Sequence, residues 1–106
     1  MKIESLKNMV NGWFVGDFAP VVRRSAEFET AVKYYRQGDK EPRHHHKLAE
    51  EITVVARGRV RMCGQEFADG DIICLDPGDS TDFEALEDTI TVVVKRPSVA
   101  DDKYLD

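Results

Sequence analysis

The stretch from residue 38 to residue 58 reads GDKEPRHHHKLAEEITVVARG and contains all three histidines of the chain. Side chains alternate between the two faces of a β-strand, so His44 and His46 are expected to point the same way and the histidine between them the opposite way. The apolar run that follows begins at two adjacent glutamates, Glu50 and Glu51. Two imidazoles and one carboxylate can converge on a divalent transition metal such as Zn, Fe, Ni or Mn and leave coordination positions open. The stretch therefore predicts a metal site shared by two neighbouring strands.

The rest of the chain has the pattern of an all-β protein. Short runs rich in β-branched and aromatic residues alternate with turns that contain Gly, Pro or Asp, which is typical of a sandwich or barrel. About seven to nine strands closed into a small β-barrel or a double-sheet jelly roll would leave few exposed edges. One helical turn is expected within residues 3–9. The strands are predicted at residues 13–18, 28–36, 43–46, 52–57, 59–63, 71–75, 80–85 and 89–96.

The length of 106 residues fits one domain with one core. We divide it into an N-terminal strand segment at 1–27, a motif-bearing barrel at 28–97 and a C-terminal tail at 98–106. The tail is acidic and is expected to be a solvated terminus. Cys63 and Cys74 are too few for a disulfide framework and are expected to be buried small side chains.

Composition and charge exclude some classes of function. The net charge of −5 argues against a nucleic-acid-binding protein, which would carry a basic face. No apolar run approaches the length of about 18 residues that a membrane span needs. The N-terminus lacks the apolar centre of a signal peptide, so a cytoplasmic location is expected.

The glycines around the histidine stretch complete a recognisable motif. Gly38 is followed after five residues by His44, and His46 comes two positions later. Glu51 follows after four further residues, and Gly58 after six more. This spacing resembles the first conserved motif of the cupins, which has glycine, His-x-His, a glutamate three or four residues on, and a second glycine. The glutamate before Glu51 fits the shorter spacing, but only Glu51 is followed by six residues and then glycine, so Glu51 is the preferred ligand.

A second stretch, GDIICLDPGDSTDFEA, resembles the second cupin motif in a degraded form. Gly70 and Gly78 match in register. Asp76 stands where the motif has proline, Thr81 where it has histidine, and Ala85 where it has asparagine. The resemblance implies a small cupin barrel, or double-stranded β-helix, in which the fourth metal ligand is replaced by Thr81.

The resemblance also implies a pocket inside the barrel that binds a small organic molecule. We expect Thr81, Tyr34 and Phe83 to line it, and we expect Met62 and Phe83 to belong to the core. Cupins include isomerases, dioxygenases and lyases, so a metal-dependent enzyme is one reading. The alternative is a binding protein for a sugar or organic acid, or a dimeric assembly protein, with a degenerate metal site. A homodimer is expected in either case, because a barrel of this length gains core by pairing.

Overall fold

The computed structural model describes all 106 residues and is almost entirely β-sheet. The only helical element is a three-residue 3-10 turn at Leu6–Asn8, so no helix is long enough to span a bilayer. The eleven strands are β1 Trp13–Gly16, β2 Arg23–Arg24, β3 Glu29–Tyr35, β4 Lys40–His46, β5 Glu50–Arg57, β6 Arg59–Met62, β7 Gln65–Ala68, β8 Ile72–Leu75, β9 Ser80–Ala85, β10 Thr89–Arg96 and β11 Lys103–Leu105.

Two sheets pack face to face, as in a double-stranded β-helix. The six-stranded sheet has the order β2-β1-β3-β10-β5-β8, and the five-stranded sheet has the order β11-β4-β9-β6-β7. All pairs are antiparallel except the short β1–β2 pair. Because β4 and β5 are consecutive in the chain but belong to different sheets, the histidine stretch passes from one sheet to the other.

The prediction of an all-β barrel is confirmed, and most strands lie where the sequence places them. The predicted strands at 80–85 and 89–96 have the observed bounds. The strand count is higher than expected because β2, β7 and β11 are short strands at or next to sheet edges. Such short strands bury little surface, and their sequences carry a weak period-2 pattern.

The apolar core fills one end of the barrel. Met62 and Phe83 are buried there, as predicted. Side chains from β5, β6, β8 and β9 supply the rest of this core, namely Val55, Val60, Ile73, Leu75 and Ala85. Gly58 joins β5 to β6 with a φ of +105°, and a Cβ there would collide with Thr89 and with the backbone of Asp88. Only glycine fits this tight connection without strain.

The C-terminal tail is exposed over residues 103–106, as its charge predicts, but it is paired with the barrel and is not a free terminus. It forms β11, which pairs with β4, so that Lys103, Tyr104 and Leu105 lie opposite the three histidines. Asp102 is only 4% exposed. Its carboxylate accepts hydrogen bonds from the backbone N–H groups of the turn at residues 47–49. The sequence did not predict this pairing, because the acidic residues of the tail find partners on β4 and its turn, which local charge cannot reveal.

The prediction that the two cysteines are buried was wrong. Cys63 and Cys74 are both exposed and unpaired. Cys63 lies in the β6–β7 turn with a φ of +53°. Cys74 lies on β8 and points away from the barrel, because the alternating positions Ile73 and Leu75 point inward.

Candidate metal centre

His44 and His46 point into the barrel from β4. They are 7% and 6% exposed, respectively, and their ring centroids lie 5.3 Å apart. His45 points outward, where its ring stacks on Tyr104 and its Nδ1 lies 2.6 Å from Oδ1 of Asp106. The alternation along β4 therefore separates the three histidines into an inward pair and an outward residue.

Glu51 reaches the two histidines from the opposite sheet. The ligand atoms of His44, His46 and Glu51 all lie within 4.8 Å of one another. Glu50 points to the other face of β5, where its carboxylate lies 3.5 Å from the guanidinium of Arg96. Of the two adjacent glutamates, the structure brings Glu51 and not Glu50 to the histidines.

The folded state favours the neutral form of His46, which suits metal binding, and disfavours the charged form of Glu51, which a bound cation would offset. The carbonyl oxygen of Pro42 lies 2.9 Å from Nδ1 of His44. A carbonyl can only accept, so Nδ1–H donates, and in the neutral imidazole this leaves the lone pair on Nε2, a common arrangement for metal-binding histidines. Burial lowers the pKa of His46 to about 4, so its imidazole is neutral near neutral pH. Burial raises the pKa of Glu51, and Lys95 partly opposes that rise.

These residues fit a divalent transition metal. Two neutral imidazoles and one carboxylate are a donor set that Zn, Fe, Ni and Mn accept. The three side chains come from two strands in two sheets, so the scaffold rather than a mobile loop fixes their separation. The group could hold one ion and leave positions open toward the cavity.

Thr81 lies beside the metal group but its hydroxyl is already used. It is 3% exposed and is the cross-strand neighbour of His44 on β9. Its hydroxyl donates to the carbonyl oxygen of Asp82 at 2.6 Å and accepts from the thiol of Cys63 at 3.1 Å. Thr81, at the position of the histidine in the second motif, thus faces the site, but its hydroxyl makes its hydrogen bonds to Asp82 and Cys63 and not to the ligand group.

Of the two aromatic pocket residues expected from the sequence, the structure places Phe83 inside and Tyr34 outside. Phe83 is buried and its ring lies 4.4 Å from that of Tyr35. Tyr34 is 69% exposed and does not reach the barrel interior. The inward face of β3 carries Ala31, Lys33 and Tyr35. Tyr35 takes the place predicted for Tyr34, because both faces of β3 carry apolar residues and alternation alone does not decide which face is inside.

Two spaces that share part of their lining adjoin the ligand group, the wider one contacting all three ligands and the smaller one contacting His44 and Glu51. A wide cavity of about 480 Å³ opens at the barrel mouth, and a chamber of about 40 Å³ lies deeper. Four residues line both spaces: Lys33, Glu41, His44 and Glu51. The wall of the deeper chamber includes Thr91, whose Oγ1 is buried without a hydrogen-bond partner. The chamber has room for about one water-sized group that this hydroxyl could bind.

Glu41 and Lys33 also line the site, although neither is one of the positions that define the two motifs. The pairing of β4 with β9 shifts by one residue between Glu41 and His44, as in a β-bulge. Glu41 therefore faces the same interior as His44 although it lies three positions away. A charged residue between the apolar and aromatic residues at 31–32 and 34–35 is the signal that could have drawn attention to Lys33.

The lining of the wide cavity carries a net negative charge. Its lining includes three lysines and five carboxylates, which gives a net charge of −2 when the histidines are neutral. Lys95 and Glu29 form an ion pair at 3.3 Å with little exposure. Burial lowers the pKa of Lys33, and the carboxylates of Glu41 and Glu51 oppose that shift. A divalent cation would neutralise the cavity.

The backbone is similar to solved structures of cupins. An uncharacterised protein with a double-stranded β-helix domain from Klebsiella pneumoniae has a TM-score of 0.73 and 21% identity, with 98% of this chain and 90% of that chain covered. An RmlC-like cupin from Shewanella frigidimarina has a TM-score of 0.65 and 17% identity, with 73% and 72% covered. The DMSP lyase DddQ from Ruegeria pomeroyi has a TM-score of 0.71 and 22% identity, with 88% of this chain but 49% of that chain covered.

The fold predicted from the motifs is therefore confirmed. The chain has the fold of these cupin structures, a double-stranded β-helix with two packed sheets. No protein-family profile matches the sequence, and no curated protein matches it. At these identities the similarity establishes the fold, and activity has to be argued from the site.

Proposed function

We propose that this protein is a metal-dependent cupin that binds a small organic molecule in the barrel cavity and converts it. His44, His46 and Glu51 hold one divalent transition metal ion, which is Zn, Fe, Ni or Mn. The observation that carries the proposal is the convergence of their ligand atoms within 4.8 Å beside the cavity. The net charge of −2 on the cavity lining supports cation binding at the same place.

The side chains around the ligands suit proton transfer and exclusion of water. When bound, the metal would act as a Lewis acid on an oxygen of the organic molecule. Glu41 faces the same space and can accept a proton there. Burial raises the pKa of Tyr35, so its phenol stays protonated and can donate. The walls around Phe83 and Met62 keep bulk water out.

The reaction belongs to the isomerase, dioxygenase or lyase classes found among cupins. The similarity to DddQ establishes the fold and does not choose among these classes. The interior favours acid–base chemistry, because the carboxylate of Glu41 and the phenol of Tyr35 lie in it together with the metal site. Turnover of candidate substrates by the metal-loaded protein tests this assignment.

A second candidate is a binding protein without turnover. It is favoured by Thr81, whose hydroxyl is committed to the carbonyl of Asp82 and so leaves only three protein ligands. A molecule that co-purifies tightly and is recovered unchanged after incubation with the loaded protein would favour this candidate. Conversion of that molecule would favour the enzyme.

The metal proposal is tested by Co(II) titration and by elemental analysis of protein purified without a tag. Wild-type protein should bind one equivalent, with the visible absorption of a nitrogen- and oxygen-ligated Co(II). The variant His44→Ala/His46→Ala should bind none. His45→Ala is the matched control, because His45 points outward, and it should bind like wild type. Equal metal content in wild type and the double variant would refute the proposal.

The outer face of the six-stranded sheet supports a homodimer. Ile72 is 66% exposed, and its cross-strand neighbour is Val54. The same face carries further apolar residues on β3, β5, β8 and β10, namely Val32, Tyr34, Ile52, Cys74, Ile90, Val92 and Val94. Monomers seldom expose an apolar patch that spans four strands, and a second copy of the same face would cover it symmetrically.

The dimer is tested by sedimentation equilibrium. Wild-type protein should have twice the mass of the chain, and Ile72→Lys should have the mass of one chain while remaining folded. Gln65→Lys adds the same charge on β7 in the other sheet and should stay dimeric. A monomeric wild type would rule the dimer out.

The two exposed thiols suit a reducing compartment. We therefore place the protein in the cytoplasm, which cell fractionation would check.

A further inference from the structure

We propose that the cavity selects small carboxylates and that Lys33 is the residue that binds the carboxylate group. This inference rests on the proposed function, because the carboxylate is expected to enter the cavity after the metal. Lys33 would contact the bound molecule directly, next to the metal ligands and without being one of them.

Lys33 occupies the junction between the two interior spaces. It lies on the inward face of β3 and lines both the wide cavity and the deeper chamber, as do His44 and Glu51. A molecule that extends from the metal group into either space can therefore contact the Lys33 side chain. The lysine is on a seven-residue strand paired along its length with β10, so its backbone is held rigidly.

Two lysines of this cavity, Lys33 and Lys103, form no ion pair within 4.0 Å, and of the two only Lys33 also lines the deeper chamber. Lys95 is paired with Glu29 at 3.3 Å. Lys33 forms no ion pair within 4.0 Å and no side-chain hydrogen bond. Its Nζ lies over the ring of Trp13 at 5.1 Å from the centroid, a contact that positions an ammonium without neutralising it. The carboxylates of Glu41 and Glu51 act on this ammonium without pairing with it directly, so a direct position beside it is open to the carboxylate of a bound molecule.

The charge of the cavity sets the order of binding. The lining has a net charge of −2 without metal, so an anion is repelled. A divalent ion removes that repulsion, and Lys33 then attracts the carboxylate. Carboxylates should accordingly bind the Zn(II)-loaded protein and fail to bind the metal-free protein.

Trp13 is the only tryptophan of the chain and lines the same cavity, so it reports on the site directly. The experiment titrates acetate, lactate and succinate into Zn(II)-loaded protein and follows Trp13 fluorescence and heat release. Acetamide, lactamide and succinamide are the neutral counterparts of the same shapes. At least one carboxylate should bind about tenfold or more tightly than its amide, which corresponds to one charge-assisted contact.

Three variants assign that preference to Lys33. Lys33→Met keeps the length of the side chain, removes the charge and should abolish the preference for carboxylate over amide. Lys33→Arg keeps the charge and should retain the preference. Lys40→Met removes a lysine that is 70% exposed and lies outside the cavity, and it should behave like wild type. Thermal unfolding and Zn(II) content of each variant establish that it is folded and loaded.

The outcomes separate this inference from the proposed function. Failure of the wild type to bind Zn(II) would refute the metal site, and the inference would fall with it. Normal Zn(II) binding with equal affinities for carboxylate and amide, or with no binding of any of the three carboxylates, would overturn the inference and leave the metal site intact. An undiminished carboxylate preference in folded Lys33→Met would also overturn it.

Discussion

His44, His45 and His46 are adjacent in the chain and lie in three different environments. His44 donates to the Pro42 carbonyl and keeps Nε2 free. His46 is held neutral by burial. His45 is an outward residue that bonds Asp106 and stacks on Tyr104. The face of β4 that each histidine occupies therefore decides its hydrogen-bond partners and whether it can bind a metal.

At the residue scale, Thr81 limits the metal affinity that we expect. Thr81→His should place a third imidazole beside His44, its cross-strand neighbour, and should tighten Zn(II) binding about tenfold or more, because a fourth protein ligand would close the coordination shell. Ser80→His puts the same side chain on the outward face next to His45 and should leave the affinity unchanged. Competition with a chromophoric chelator measures both. Equal affinities in the two variants would show that position 81 does not reach the metal.

At the scale of elements, the tail strand β11 and the residue before it support the ligand-bearing strands. Asp102 accepts from the backbone N–H groups of Lys47, Leu48 and Ala49, which form the turn between β4 and β5. That turn separates His46 from Glu51. The C-terminal segment thus holds the two ligand strands at their junction, in addition to completing the five-stranded sheet.

Asp102→Asn should lower the free energy of unfolding by about 1–3 kcal/mol, because charged acceptors bind backbone donors more strongly than neutral ones. Burial alone would raise the pKa of Asp102, but the N–H donors of Ala49, Leu48 and Lys47 outweigh it and hold the pKa below its usual 3.8. The native state thus favours the carboxylate. Its contribution is complete at pH values above the unfolded pKa and is lost as the pH falls through the lower folded pKa.

Urea unfolding at several pH values checks this expectation. The difference between wild type and Asp102→Asn should be constant near neutral pH and should shrink in acid below about pH 4. Asp101→Asn, next to it and exposed, is the matched control and should change stability by less than about 0.5 kcal/mol. A difference that persists in acid would mean that the charge of Asp102 is not what stabilises the turn.

At the scale of the whole molecule, polarity is inverted around the six-stranded sheet. Inward positions of β3, β5 and β10 near the cavity carry polar residues such as Lys33, Glu51 and Lys95. The outward positions of the same strands carry Ile and Val. A sheet that faced water on its outer side would show the opposite pattern. This inversion supports both an interior binding site and a protein partner on the outside.

Metal binding should stabilise the molecule as a whole, because its ligands come from both sheets. With free Zn(II) about 100-fold above the dissociation constant, the native state gains about 2.7 kcal/mol, which should raise Tm by about 10 °C or more. Excess chelator should reverse the shift. His44→Ala/His46→Ala should show no metal-dependent shift, while His45→Ala should shift like wild type. A shift of equal size in the double variant would place the ion elsewhere.

The sequence specifies the strands well because their pattern is local. The bounds of β10 follow from a run of β-branched residues that ends before a proline, and those of β9 follow from the turn residues on either side of it. The spacing around His44, His46 and Glu51 predicts which three side chains the structure brings together. The division into segments at 1–27, 28–97 and 98–106 stays a prediction.

Only the tertiary structure decides what lies inside the barrel. Alternation has a period of two and is the same whichever face is buried, so β3 alone cannot distinguish Tyr34 from Tyr35 or point to Lys33. Glu41 reaches the site through a register shift that depends on the partner strand β9. By itself the sequence determined the strands and a candidate ligand set, because both depend on short-range spacing. Tertiary structure decided the faces, the cavity charges and the role of the tail, because each depends on a partner that is distant in the chain.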